Sequence, residues 1–254
     1  MSSLLAADEP SPVIHERANA TSPFLITCDH AGNLLPRSLG DLGVSATDRQ
    51  RHIAWDIGAL GVARELATLL NGELVGQRYS RLVIDCNRPP DSAELVIERS
   101  EATDIPGNLA LSAAARDQRR AEIYAPYHDT LRKLLDTRTM QGRATIFIAV
   151  HSFTPVYHGR ARPWHLGVLS GNDRRLAEPV LDFLRTHGDF CIGDNEPYRI
   201  DEKDQGIPAH ALARDLPNVL FEIRQDLIAQ PAGQKAWAQR LATTLKHARA
   251  SLNL

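Results

Sequence analysis

The sequence predicts an α/β fold, with a mixed, largely parallel sheet covered by helices on both faces. Three observations lead there. Short apolar runs alternate with longer stretches of helical period, and strands covered on both faces read as continuous hydrophobic runs. Polar residues sit at the C-terminal ends of these runs: His30, Asn87 with Arg88, His151, and Glu222 with Arg224. In such sheets ligands bind outside the carboxyl ends of the strands. Finally, 254 residues with 43% apolar and 24% charged side chains suffice for one full core, so a single domain over 1–254 is expected.

Residues 1–20 read as a loose arm. Phe24–Cys28 is a buried strand ending in the turn that carries His30. Thr47 to Gln50 has the T-x-x-Q form of a capping box, and Ile53, Ile57, Leu60, Val62, Leu66 and Leu69 follow at helical spacing until Asn71-Gly72. Glu73–Tyr79 and Leu82–Asn87 read as strands, the second stopped by Arg88-Pro89-Pro90-Asp91. Residues 91–111 form a long loop, of the kind that often serves function. Ser112–Thr137 is a helix with a break near Pro126, and Ala144–Val150 a buried strand with His151 at its end. A strand over His165–Leu169 and a helix over Asp173–His187 come next, then the polar loop Pro197–Gln205 and a short helix over Pro208–Arg214. Val219–Ile223 is a strand with Glu222 inside it, and Gln234–Leu252 an amphipathic terminal helix.

A net charge of −2 points to neither nucleic acid nor an anionic membrane as partner. Cys28, Cys86 and Cys191 form no CxxC pair and read as reduced thiols of a cytoplasmic protein. The first residues lack the basic and apolar regions of a signal peptide, and no apolar run is long enough for a membrane helix. There is no G-x-S-x-G elbow, phosphate loop or dinucleotide fingerprint.

Metal chemistry is the sharper possibility. His30 and His151 each follow a buried strand, and two imidazoles with a carboxylate make a catalytic zinc set. The plain alternative is two hydrogen-bonded histidines at loop starts. Asp56 is the favoured carboxylate, because an Asp early in an apolar helix needs a partner; Asp29 is the rival. Glu222 sits in an interior strand, where burial raises a carboxyl pKa and suits it to general acid–base work. It could instead pair with Arg224, two residues on. Arg88, with Asn87, could clamp a substrate carboxylate. Arg81 or His210 could steady an oxyanion, although each also reads as an ordinary polar residue. A nucleophilic Cys28–His30 pair is weaker, since thiols on buried strands are usually inert.

Several segments carry a resemblance: Cys28 to Asn33, Ala54 to Gly58, Ser80 to Arg88, Ala149 to Pro155, Asn195 to Tyr198, and Leu216 to Ile228. In this order and spacing the chain resembles the N-formylglutamate amidohydrolase family over nearly its whole length. That family is similar to zinc carboxypeptidases and aspartoacylases and has a phosphorylase/hydrolase-like fold. The resemblance implies Zn²⁺ on His30, Asp56 and His151, and Glu222 as acid and base. It further implies Asn87 and Arg88 on the carboxylate of a small acyl amino acid, and a place in amino-acid metabolism such as histidine degradation. The related enzymes use H-x-x-E, whereas this chain has Asn33 at the fourth position, so the third ligand shifts to Asp56. The implied reaction takes N-formyl-L-glutamate and water to L-glutamate and formate, with another N-acyl amino acid or a metal-free binding role as alternatives.

Overall fold

The computed structural model describes residues 3–252. Seven strands form the central sheet: β1 (Val13–Glu16), β2 (Phe24–Cys28), β3 (Glu73–Gln77), β4 (Ile146–Phe153), β5 (Leu166–Leu169), β6 (Ile192–Asp194) and β7 (Asn218–Arg224). Their order across the sheet is β1-β3-β2-β4-β7-β5-β6. The middle four, β3, β2, β4 and β7, run parallel. β1 joins β3 and β5 joins β7 antiparallel.

Strand residues alternate between the two faces. Ile26, Ile148, Val150 and Phe221 join one core with helices α1 (Ala59–Leu70), α4 (Ala177–Thr186) and α5 (Pro231–Arg249). Leu25, Phe147, Ala149 and Leu220 join the other, under α3 (Ala125–Met140) and the turn Arg120–Tyr124 that links it to α2 (Ala113–Arg119). By the same parity His151 and Glu222 belong to the α3 face. They are directly paired in the parallel register of β4 and β7, so both side chains emerge side by side. Both strands are fully buried over these positions.

Several local expectations need correction. The first twenty residues are no loose arm: β1 pairs along β3, and Leu4, Ile14 and Ala20 are buried. Thr47 caps nothing; Ser45 Oγ receives the Asp48 amide, and only a three-residue 3-10 turn follows. The helix begins at Ala59, behind Gly58 at φ 80°. A Cβ at Gly58 would stand 2.1 Å from Ile228 O, so this close approach requires glycine. Asp56 therefore lies in the turn before α1, where its amide donates to His30 O at 3.0 Å.

Leu82–Asn87 is buried but is not a strand. Its backbone is satisfied locally: the Val83 amide donates to Ser80 O, and Asn87 N donates to Asp85 Oδ1. Side-chain acceptors of this kind replace a ladder. Pro126 breaks nothing either, since it stands in the first turn of α3. The irregularity is the π turn Arg120–Tyr124 just before it. Segment 91–111 is ordered by a 3-10 turn at Ala93–Leu95 and a short hairpin, Arg99–Ser100 with Thr103–Asp104.

Candidate active site

His30, Asp56 and His151 converge at the carboxyl ends of β2 and β4. One donor atom from each lies within 4.8 Å of the others, and all three residues are buried. His151 Nδ1 stands 2.8 Å and His30 Nδ1 3.4 Å from Asp56 Oδ2. The Ser152 amide donates to the same oxygen at 3.3 Å. The rings meet edge to face, with centroids 5.2 Å apart.

The far nitrogens also face carboxylates. His30 Nε2 is 2.7 Å from Asp85 Oδ1, and His151 Nε2 is 3.4 Å from Asp29 Oδ2. The resulting field is strongly directional. Burial alone would raise the Asp56 pKa, but His30 and His151 hold it far below the usual carboxylate range. Against the cost of burial, Asp29 and Asp56 push His151 well above the ordinary histidine value. Such a set fits a metal ion: two imidazoles and one carboxylate facing a common point is a zinc donor pattern. Metal-binding histidines commonly give their other ring N–H to a carboxylate.

Glu222 stands beside His151 and is 8% exposed, with Oε2 buried and free of hydrogen bonds. Burial pushes its carboxyl up to about 7; the His151 ring opposes this shift and Asp56 adds to it. Expected as a partner, Arg224 instead bonds Asp226, with Nε 2.9 Å from Oδ1. It does not line the cavity, so the structure does not bring it to the site.

The cavity holds about 620 Å³ and is lined by His30, Asp56, His151, Glu222, Arg81 and Arg88 among others. Arg81 bonds Asp85 Oδ2 through Nη2 at 2.6 Å, and its Nη1 lies 3.7 Å from Asp56 Oδ1. Arg88 reaches Glu94 at 3.2 Å and Asp204 at 3.5 Å. Asn87 lines the cavity, but its amide is committed to the neighbouring loop. Nδ2 donates to Asp204, and Oδ1 receives the Gln205 and Gly206 amides. His210 is not brought to the cavity: it is buried, with Nε2 2.8 Å from His128 Nδ1. Cys28 is fully buried and its thiol is pushed up by that burial, which leaves no nucleophile there.

Reading along the chain misses three residues that complete the site. Asp85 does carry a signal, a carboxylate in an apolar stretch beside Asn87 and Arg88. Tyr127 carries none, since it adjoins no strand end, and Tyr198 is marked only as the last residue of the segment Asn195 to Tyr198 that carries the resemblance. Tyr198 lines the cavity and receives a hydrogen bond from Arg162.

Fold and site together define an α/β protein with a His–Asp–His donor set and a buried glutamate at the carboxyl edge of its sheet. The chain belongs to the N-formylglutamate amidohydrolase family, whose model matches residues 22–229. The N-formylglutamate deformylase of Pseudomonas putida is 32% identical over 173 residues, covering 63% of this chain and 62% of that protein. The chain thus aligns with less than two thirds of that relative's length. A solved gene product of Agrobacterium tumefaciens is 40% identical, with TM-score 0.95 and 98% of each chain covered. The solved N-formylglutamate amidohydrolase of Ralstonia eutropha JMP134 shares the fold, with TM-score 0.70 at 20% identity, over 95% of this chain and 98% of that one. No described helix is long and apolar enough to cross a membrane.

Proposed function

We propose that this protein is a zinc-dependent amidohydrolase that cleaves N-formyl-L-glutamate to L-glutamate and formate. The observation that carries the reading is Glu222, a buried carboxyl with a free oxygen beside three converging donors. Family membership and the deformylase relative supply the substrate. His30 Nδ1, Asp56 and His151 Nδ1 would hold the metal. When bound there, zinc supplies Lewis acidity towards an amide carbonyl and towards water.

The chain's own groups account for the rest. With a pKa near 7, Glu222 can take a proton from water and return it to the leaving amine at neutral pH. Its adjacent residues on β7, Phe221 and Ile223, are apolar and offer the proton no competing acceptor. Arg81 is anchored by Asp85, which leaves Nη1 turned towards the donor set, where it can steady a developing oxyanion. Arg88 lies on the cavity wall with exposed Glu94 as one partner, and a substrate carboxylate can exchange with that partner. Asn87 shapes the wall by holding the 204–206 loop.

The test is formate release from N-formyl-L-glutamate by the purified, zinc-loaded protein, with Glu222→Gln alongside. Loss of about 10²- to 10⁴-fold in kcat with zinc still bound is the expected result. A variant within tenfold of wild type would remove Glu222 from the scheme. No turnover by wild type, against activity on another N-acyl amino acid, would change the substrate and keep the chemistry.

A further inference from the structure

Asp29 is a carboxylate the proposed reaction does not use. It is 2% exposed, and its one ion-pair partner among the described residues is His151. A buried carboxylate without compensation is costly, so its surroundings reveal its purpose. The Tyr127 hydroxyl donates to Oδ1 in a short hydrogen bond. That leaves Oδ2, which faces His151 Nε2 at 3.4 Å. Among the described residues neither atom has a hydrogen-bond partner, so this ion-pair contact is the one polar neighbour each of them has. Gly206 packs against the same oxygen: a Cβ there would come within 2.9 Å of Oδ2.

Tyr127 reaches Asp29 from 98 residues away. Its helix is re-phased by the π turn Arg120–Tyr124, a feature often found at functional sites. From this stretch Tyr124 bonds Arg88 O at 2.9 Å, and His128 Nε2 lies 3.0 Å from Cys86 O. Tyr127, between them, is fully buried. Its hydroxyl proton occupies one carboxylate oxygen, so the other is the acceptor left for an imidazole N–H.

We infer that Asp29, held by Tyr127, is a positioning residue that fixes the tautomer and orientation of His151. With Nδ1 given to zinc in place of its contact with Asp56, the ring's remaining proton would sit on Nε2, and Asp29 Oδ2 is the acceptor that faces it. The inference rests on the zinc reading of that space.

The experiment compares wild type, Asp29→Asn and Tyr127→Phe by zinc competition with a chromophoric chelator, and by ¹⁵N spectra of the histidine rings. For Asp29→Asn the zinc dissociation constant is expected to rise about 10- to 100-fold, and the His151 Nε2 resonance of the zinc-loaded protein to shift as its proton loses a charged acceptor. Tyr127→Phe should move both in the same direction by less, and it serves alone if Asp29→Asn does not fold. Zinc constants within twofold of wild type and an unmoved His151 resonance would overturn the inference. If wild type takes up no zinc, the zinc reading falls and the role of Asp29 falls with it, whereas zinc bound equally well by wild type and Asp29→Asn overturns the role of Asp29 alone.

Discussion

Two carboxylates stand behind the two histidines, and they are held in different ways. Asp85 receives His30 on one oxygen at 2.7 Å, together with the Asn87 amide at 2.8 Å, and Arg81 on the other. Every one of those contacts except His30 comes from within four residues, and Asp85 lines the cavity. Asp29 has no arginine and no backbone donor among its hydrogen-bond partners. Its other oxygen depends on Tyr127, brought in from α3. Asp85 is therefore locally determined and lines the cavity, whereas Asp29 is determined by packing and does not line it. Substitutions on the first side should disturb substrate and metal together. Those on the second should disturb the metal site alone.

The largest expected effect breaks the pair at its centre. His30→Ala and His151→Ala should each lose zinc on dialysis against a chelator, because two remaining ligands do not make a three-ligand site. Elemental analysis checks this, and full zinc retention by either variant would remove that histidine from the donor set.

Next in size is Asp85→Asn. Zinc affinity should fall about 10- to 100-fold, and stability to urea by about 1–3 kcal/mol, because Arg81 loses a buried partner. KM for N-formyl-L-glutamate should also rise, since Arg81 and Asp85 both line the cavity. An affinity loss without any kinetic change would erase the contrast with Asp29.

Arg88→Ala sharpens the same contrast from the substrate side. It should raise KM about tenfold or more while sparing kcat and zinc content, as expected for a group that binds ground and transition states alike. Steady-state kinetics with metal analysis separates this from a loss of chemistry.

The smallest effect lies remote from both histidines. Glu122 receives the Leu4 and Leu5 amides and the Ser3 hydroxyl. Burial opposes the shift, but these donors lower its pKa to about 2. A depressed carboxyl stabilises the fold above the unfolded-state value, near 4.5, and that contribution is lost as pH falls towards 2. Glu122→Gln should thus lower the melting temperature by a few degrees at pH 6, with the gap closing at pH 2.5. A gap that persists in acid would assign the effect to shape rather than charge.

Much of this architecture is legible residue by residue. The apolar runs at Phe24–Cys28, Ile146–Val150 and Val219–Ile223 have no plausible place except a covered sheet, and His30, His151 and Glu222 stand out as polar groups at their ends or within them. Asp56 is recognisable as a carboxylate that needs a partner, yet its place before the helix is not, because the Gly58 turn and the bond to His30 O create it. Leu82–Asn87 misleads for a related reason. Its composition is that of a strand, but side-chain acceptors at Ser80 and Asp85 satisfy its amides first. Arg224 and His210 are drawn away by nearer partners, Asp226 and His128, that spacing alone does not rank.

The sequence by itself determined the central strands β2, β4 and β7 and the polar residues at or near their carboxyl ends, because burial period and strand ends are local properties of the chain. Tertiary structure alone decided which groups touch. The β4–β7 register sets Glu222 beside His151, and the π turn before α3 brings Tyr127 to Asp29. Those contacts join residues 71 and 98 positions apart. Their geometry follows from how layers pack, which no local pattern encodes.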